Sequence, residues 1–350
     1  MTLHLHIDDG TATLTDAAGA APEPFATALV EARGALLRWD VTNSTRFPHA
    51  VISSPQQAAD WLADVYGSEI AAAVADGREV ALPLPDDAEL VDAARRLAHL
   101  IWSADWWPAG VYTPALEPAV LAAEIVVATD AVSHLLDDED ATQRALADAA
   151  AALPALAAVP ATLRTEADAL AAALHELADD HGVELQPAGA AIPRDEWALA
   201  AGSDGTSITG IEIGHGSAPI RWADVPAQTV AADGEAEWSL RRVDGAVHLH
   251  LRVAAVPGAD AGLRARFGPD DLGIDLDLIG DGTAFAASAE VPASLALLPL
   301  DDRTLWVRDE RIAAVPGPPE DEDVRDRVRE FAVGRLDDAG ASLAERAAGA

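Results

Sequence analysis

The sequence predicts an α+β fold: an N-terminal mixed α/β-to-helical region, then an antiparallel β-sandwich or barrel, then a C-terminal amphipathic helix. The first half of the chain is rich in alanine and spaces its apolar residues as helices do. The second half alternates apolar and polar residues around Asp-Gly turns. A short charged segment follows the Pro-rich break at 316–319. We therefore predict domains at 1–187, 188–317 and 318–350.

The N-terminal region begins with a predicted β-hairpin that turns at Asp9-Gly10, a strong two-residue turn signal. This register places Leu5 opposite Leu14 on an apolar face. It places His4 and His6 on the opposite, polar face, because side chains alternate along a strand. The hairpin is therefore expected to bury one face against the helices that follow.

Further elements of this region follow from turn signals and periodicity. Ser54 and Pro55 with Gln57 are typical of a helix start with a capping box. The predicted elements are a helix over 22–33, strands over 35–41, 49–52 and 79–82, and helices over 55–66, 87–107, 116–136, 141–153 and 162–180.

The second region shows the clearest strand pattern. A turn at Asp244-Gly245 would place Trp238 opposite Leu251 on an apolar face and Arg241 opposite His248 on a polar face. By the same reasoning, a turn at 281–282 would pair the run 274–278 with 285–289. We expect a flexible loop at 214–217 and closing strands at 303–307 and 311–315.

The C-terminal segment predicts one amphipathic helix over about 320–344. Its apolar stripe contains Val324, Val328, Phe331 and Leu336. This stripe is long enough to dock the helix onto the body of the protein or onto a partner.

Composition excludes several classes of protein. The 350 residues carry 59 acids against 23 bases, all arginine, which makes the net charge −36. A chain without cysteine is neither a disulfide scaffold nor a cysteine-nucleophile enzyme. Nucleic acids and anionic membranes are unfavourable partners for so acidic a protein. With no secretory signal and no long apolar span in the sequence, we expect a cytoplasmic protein.

Two His-x-His motifs, His4/His6 and His248/His250, could each direct two imidazoles to one side of a strand. Both pairs also fall on a face that must be polar, and an arginine opposite His248 opposes a cation. His248 and His250 are kept as the candidate metal ligands. We predict no cofactor, because no dinucleotide or phosphate loop is present.

Trp102, Trp106, Trp107 and Tyr112 form the densest aromatic cluster in a chain that is 5% aromatic. Such a cluster is typical of a binding surface, because aromatic side chains dominate interface energies. The alternative interpretation is domain packing, since Trp102 also continues the apolar stripe of a predicted helix.

No competent catalytic motif is recognised in the sequence. We therefore expect a non-enzymatic accessory or interaction protein that binds a protein partner through its β-sandwich, its Trp cluster or its C-terminal helix. One alternative is a hydrolase or metal-dependent enzyme whose site, with His215 or the histidine pairs, assembles at the domain junction. Another is an acidic mimic of nucleic acid that binds a basic protein.

Overall fold

The computed structural model describes residues 2–8, 10–16, 23–43, 47–83, 89–138, 140–185, 210–269, 271–313 and 320–350. In these ranges the chain has an α+β fold and divides into two compact units. The first unit comprises Met1–Ala104, Leu116–Ala191 and Val324–Ala350, and the second comprises Asp105–Ala115 and Ile192–Asp323. The C-terminal segment thus packs with the N-terminal region. The composition-based domains at 1–187, 188–317 and 318–350 stay a prediction, and the break at 316–319 lies outside the described residues.

The first unit contains an antiparallel sheet and most of the described helices. The strands are β1 (Thr2–Asp8), β2 (Thr11–Asp16), β3 (Thr27–Ala32), β4 (Ala35–Asp40), β5 (His49–Ile52) and β6 (Val80–Pro83). They are ordered β3-β4-β5-β2-β1-β6 across the sheet. The helices are α1 (Pro55–Tyr66), α2 (Ser68–Ala75), α3 (Glu89–Trp106), α4 (Pro118–Ala131), α5 (Ala141–Asp148), α6 (Ala152–Ala158) and α7 (Arg164–His181).

The predicted N-terminal hairpin is confirmed in its register. Leu5 pairs with Leu14 and His4 with Thr15. Both leucines are buried, while the described side chain of His4 is exposed. Asp9 of the turn lies outside the described residues. The alternation of side chains along β1 and β2 therefore decides which face enters the core.

The predicted helix over 22–33 is wrong. A short 3-10 helix, Pro24–Ala26, is followed by strand β3, which forms a hairpin with β4. From Ala28 to Ala32, buried and exposed residues alternate along β3, as expected for a strand with one face against the core. Gly34 supplies the turn with φ +70°, and a Cβ on it would lie 2.4 Å from the Ser54 carbonyl oxygen. The turn and the sheet outweigh the helical spacing of this segment.

The C-terminal segment forms two helices, α9 (Glu322–Leu336) and α10 (Leu343–Gly349), where the sequence suggested one. The interruption has a local cause, because Ser342 and Glu345 form a capping box that starts α10. Val328 and Ala332 of α9 are fully buried. Val328 of the predicted stripe is thus packed within the first unit, and Val324, Phe331 and Leu336 are partly buried.

The second unit contains two facing antiparallel sheets in a sandwich-like arrangement that does not close. The strands are β7 (Ile211–Pro219), β8 (Glu235–Val243), β9 (Ala246–Ala254), β10 (Leu263–Phe267), β11 (Ile274–Asp277), β12 (Ile279–Gly280), β13 (Ala284–Val291) and β14 (Leu305–Asp309), with the short helix α8 (Ala293–Ala296). The large sheet is ordered β12-β13-β9-β8-β7 and the small sheet β11-β10-β14. Trp238 of the large sheet meets Phe267 of the small sheet with ring centroids 5.0 Å apart, in a shared apolar core.

The hairpin at Asp244-Gly245 has the predicted register, with Trp238 opposite Leu251 and Arg241 opposite His248. Asp244 and Gly245 both have positive φ, 49° and 89°, as a type I′ turn requires. The strong local turn therefore sets the pairing of both strands.

The turn predicted at 281–282 is wrong by one residue. Gly280 pairs with Phe285, so Gly282 and Thr283 are the loop residues. The Asp281 carboxylate accepts hydrogen bonds from the backbone N–H groups of Thr283 and Ala284 at 2.8 and 2.7 Å. This local capping moves the turn along the chain. Strand β11 then pairs with β10 in the small sheet, which the local pattern did not indicate.

The loop expected at 214–217 is also wrong, because these residues lie in β7, beside β8. A Cβ on Gly216 would lie 2.7 Å from the Trp238 ring, so glycine is needed there for the indole to fit. Of the predicted closing strands, β14 is observed, and Ile312 instead follows a turn after Asp309. Residues 314–315 lie outside the described part of the chain.

None of the helices in the described part of the chain combines the length and the apolarity that crossing a bilayer requires.

Candidate functional site

The first unit has a cleft of about 320 Å³ in which basic side chains gather. Strands β3 and β4, helices α3 and α9, and the loop that precedes α10 form its walls. We name it the arginine cleft. Its charged and titratable lining residues are Asp40, Asp92, Arg95, Arg96, His99 and Arg335.

Helix α3 supplies most of this lining. Four polar residues of this helix lie at spacings of three, one and three residues, which places them on one side of an α-helix: Asp92, Arg95, Arg96 and His99. The other side of α3 carries the buried residues that pack into the unit. The helix therefore has to present these polar side chains away from the core, into the cleft.

The arginine cleft is richer in arginine than the chain as a whole. The whole sequence has 59 acids against 23 bases, whereas three arginines and two aspartates are among the described residues that line the cleft. One carboxylate oxygen of Asp40 already accepts hydrogen bonds from the backbone N–H and the hydroxyl of Thr42. The cleft thus concentrates guanidinium groups in an acidic protein, with Arg335 paired to Glu345 and Asp338 and Arg96 lying beside Glu124.

Glu345 holds the back of the cleft in place. Its side chain is 0% exposed and accepts hydrogen bonds from His99 Nε2 at 2.8 Å and from Arg335 Nη2 at 2.8 Å. The Ser342 backbone N–H donates a further hydrogen bond at 2.7 Å. Burial by itself would raise the pKa of Glu345, but the hydrogen bonds from His99 and Arg335 lower it to about 2. An ionised Glu345 can only accept, so His99 must carry a proton on Nε2.

Glu124 of α4 fixes the same C-terminal segment from the other side. Its carboxylate is 4% exposed and accepts the backbone N–H groups of Leu343 and Ala344 at 2.8 and 3.0 Å, at the start of α10. Burial raises the pKa of Glu124, and the two amides and Arg96 offset this only in part. The two buried glutamates therefore tie α10 to α3, α4 and α9.

Arg95 is a partly desolvated cation of the arginine cleft that lies near a second one. Burial lowers the pKa of its guanidinium, and the like charge of Arg335 lowers it further, while Asp92 acts in the opposite direction. Its contact with the Asn43 carbonyl oxygen is long, at 3.4 Å. A partly desolvated guanidinium beside a second one would be stabilised by an anion. Guanidinium groups bind carboxylates and phosphates through bidentate hydrogen bonds.

The predicted aromatic cluster is divided between the two units. Trp102 belongs to the first unit, where it is buried and donates a hydrogen bond to the Phe25 carbonyl oxygen at 2.8 Å. Its ring stacks on His99 at 5.5 Å and meets Phe331 edge-on at 5.7 Å. Trp102 therefore supports the wall of the arginine cleft from behind.

The other three aromatic residues belong to the second unit. Trp107 is buried and donates to the Pro114 carbonyl oxygen at 2.9 Å. Trp106, Trp107 and Trp222 border a cavity of about 20 Å³, which has room for a water molecule and not for a larger ligand. Tyr112 differs from them, because it is 78% exposed next to Val111, which is 77% exposed.

His248 and His250 lie on the outer face of β9, as the hairpin register requires. Burial lowers the pKa of His250, and the charges of Arg241 and His248 lower it further. In the described ranges, no three His, Asp or Glu side chains are grouped closely enough to hold a metal ion. The metal site at His248 and His250 therefore stays a prediction, and the described residues offer no third ligand for it.

Sequence reasoning did not identify the arginine cleft. The polar side of α3 is visible as the spacing of Asp92, Arg95, Arg96 and His99, but the same spacing is typical of a solvated helix face. What makes it a site is Arg335 and Glu345, which lie more than 200 residues away in the chain. Nothing local in the sequence indicates that pairing.

Comparisons of the chain with protein-family models, with curated proteins and with solved structures find no match.

Proposed function

We propose that this protein is a non-enzymatic, cytoplasmic binding protein that takes a small anionic molecule, a carboxylate or a phosphate, in the arginine cleft. The observation that carries the proposal is the clustering of guanidinium groups there, with Arg95 half-buried near a second arginine. The volume of about 320 Å³ suits a small molecule.

The arrangement separates the groups that hold the cleft from the groups that would bind. Arg335 and His99 are occupied by the buried Glu345, which fixes their positions. Arg95 and Arg96 then face the cleft with weaker contacts, at 3.4 Å to the Asn43 carbonyl oxygen and 3.4 Å to Glu124. An anion bound by these two guanidinium groups would replace long contacts by short, charge-assisted hydrogen bonds.

Isothermal titration with butanoate and with inorganic phosphate, at constant ionic strength, tests the proposal. We expect one of the two anions to bind with a stoichiometry of one. The Arg95→Gln variant should bind that anion at least about tenfold more weakly, because hydrogen bonds to charged groups contribute ~1.5–3 kcal/mol each.

Arg78→Gln is the matched control, since it changes the net charge equally at an exposed arginine that pairs with Asp76, away from the cleft. It should bind like the unaltered protein. If neither anion binds, the proposal is refuted. It is also refuted if both variants lose affinity equally, because the net charge of the protein would then explain the binding without a specific site.

A protein partner is the second candidate, supported by the exposed pair Val111 and Tyr112 of the second unit. Exposed aromatic and aliphatic side chains next to each other are typical of contact surfaces. Of the possible partners, a second copy of the chain can be tested directly. Sedimentation velocity should then show self-association that the double variant Val111→Ser, Tyr112→Ser abolishes, and a monomer at all concentrations would exclude that partner.

The metal-dependent enzyme and the acidic mimic of nucleic acid remain alternative proposals. Stoichiometric zinc, manganese or iron in the purified protein would favour the enzyme over a non-enzymatic binding protein. Salt-sensitive capture of DNA-binding proteins would favour the mimic.

A further inference from the structure

A second cleft, of about 520 Å³, adjoins the arginine cleft in the first unit. Helices α3, α4, α7 and α10 and the loop before α10 form its walls. We name it the apolar cleft. Its apolar lining includes Ala93, Val127, Ala128, Ala131, Leu170 and Leu343.

The two clefts share Arg96 and Gly340 in their linings. Arg96 is well placed to serve both, because its side chain is 65% exposed and makes one long contact, 3.4 Å, with Glu124. A molecule that reaches from one cleft into the other would therefore pass along this arginine.

The charged residues of the apolar cleft have partners within the protein, although the Nε atom of Arg346 is buried without a hydrogen-bond partner. Glu124 accepts the backbone N–H groups of Leu343 and Ala344 and lies beside Arg96. Glu166 pairs with Arg346 at 3.4 Å. What these pairs leave for a ligand is chiefly the small aliphatic surface between them, which favours an alkyl chain over a polar group.

The composition of the arginine cleft further restricts the anionic group. Asp40 and Asp92 line it together with the arginines, so a second negative charge on the ligand would face two carboxylates. A singly charged carboxylate is therefore favoured over a doubly charged phosphate.

We propose, as a deepening of the proposed function on which it rests, that the ligand is an amphipathic monocarboxylate. Its carboxylate lies between Arg95 and Arg96 in the arginine cleft, and its alkyl chain runs past Arg96 and Gly340 into the apolar cleft. The two clefts then act as one elongated site for a single molecule.

The test compares butanoate, hexanoate and octanoate by isothermal titration, with 1-octanol as the uncharged analogue. Affinity should rise about twofold per added methylene, which is less than complete burial gives because the cleft is open to water on one side. Octanol should bind at least about tenfold more weakly than octanoate, and so should octanoate to the Arg95→Gln variant.

A pair of variants on α7 locates the chain. Leu170 lines the apolar cleft and Leu177 does not, although both are half-buried on the same helix. Leu170→Asn should remove most of the gain from butanoate to octanoate while leaving butanoate binding unchanged. Leu177→Asn should keep the whole gain.

The outcomes separate this inference from the proposed function. If butanoate or phosphate binds through Arg95 but lengthening the chain adds nothing, the amphipathic ligand is refuted and the anion site stands. If octanol binds as tightly as octanoate, the carboxylate contact with Arg95 is refuted. If no anion binds, both proposals fall.

Discussion

Replacing Glu345 by glutamine should strongly destabilise the helical first unit. The side chain is wholly buried and holds His99, Arg335 and the Ser342 backbone N–H at once. Its pKa falls from 4.5 to about 2 in the folded protein. At 1.36 kcal/mol per pKa unit, ionisation of this group contributes about 3 kcal/mol to the free energy of unfolding at neutral pH.

The pH dependence follows from the direction of that shift. A carboxylate with a lowered pKa stabilises the fold above its unfolded pKa, and the contribution disappears as the pH falls from about 4.5 towards 2. The difference in unfolding free energy between the unaltered protein and Glu345→Gln should therefore be largest near neutral pH and shrink through this window. Chemical denaturation followed by circular dichroism at 222 nm measures it, because most described helices belong to the first unit.

Glu124→Gln is the control with the opposite sign. Burial raises the pKa of Glu124, so its ionisation costs stability as the pH rises above the unfolded value. The difference between the unaltered protein and Glu124→Gln should shift in favour of the variant with rising pH. If both differences have the same slope, or if that of Glu345→Gln is constant with pH, the reasoning about these two carboxylates is refuted.

Variants at Gly216 and Asp281, with a control at Gly262, probe the second unit. Gly216→Ala would place a Cβ 2.7 Å from the Trp238 ring, so overpacking should lower the free energy of unfolding by about 1–3 kcal/mol. A lower midpoint in tryptophan-monitored denaturation measures this loss. In the control variant Gly262→Ala the added Cβ has no atom within 4 Å, so the midpoint should hardly change. Asp281→Ala removes the carboxylate that caps the β12–β13 turn, so amide hydrogen exchange at Ala284 should become faster. Unchanged exchange at that amide would contradict the capping role.

The strands that the sequence predicts most accurately are those whose pairing is local. The turn at Asp244-Gly245 joins β8 and β9 directly, and its two positive φ angles leave one register that keeps the alternating apolar residues on one face. The hairpin of β1 and β2 follows the same logic. In both hairpins, the turn residues and the alternation of apolar residues beside them determine the register.

The predictions fail where distant contacts compete with local pattern. The segment at 27–32 has helical spacing, yet pairing with β4 makes it a strand. Residues 274–277 look like one side of a hairpin, yet they pair with β10, where Ile274 lies opposite Phe267. The free energy of joining an existing sheet and core outweighs weak local propensity in each case.

The sequence by itself determined the α+β class, two hairpin registers and the polar spacing of Asp92, Arg95, Arg96 and His99 on α3. Only the tertiary structure decided that Arg335 and the buried Glu345 meet that helix and make its polar side a cleft. The physical reason is that hairpin registers depend on neighbours in the chain, whereas a buried ion-pair network depends on which distant segments pack together.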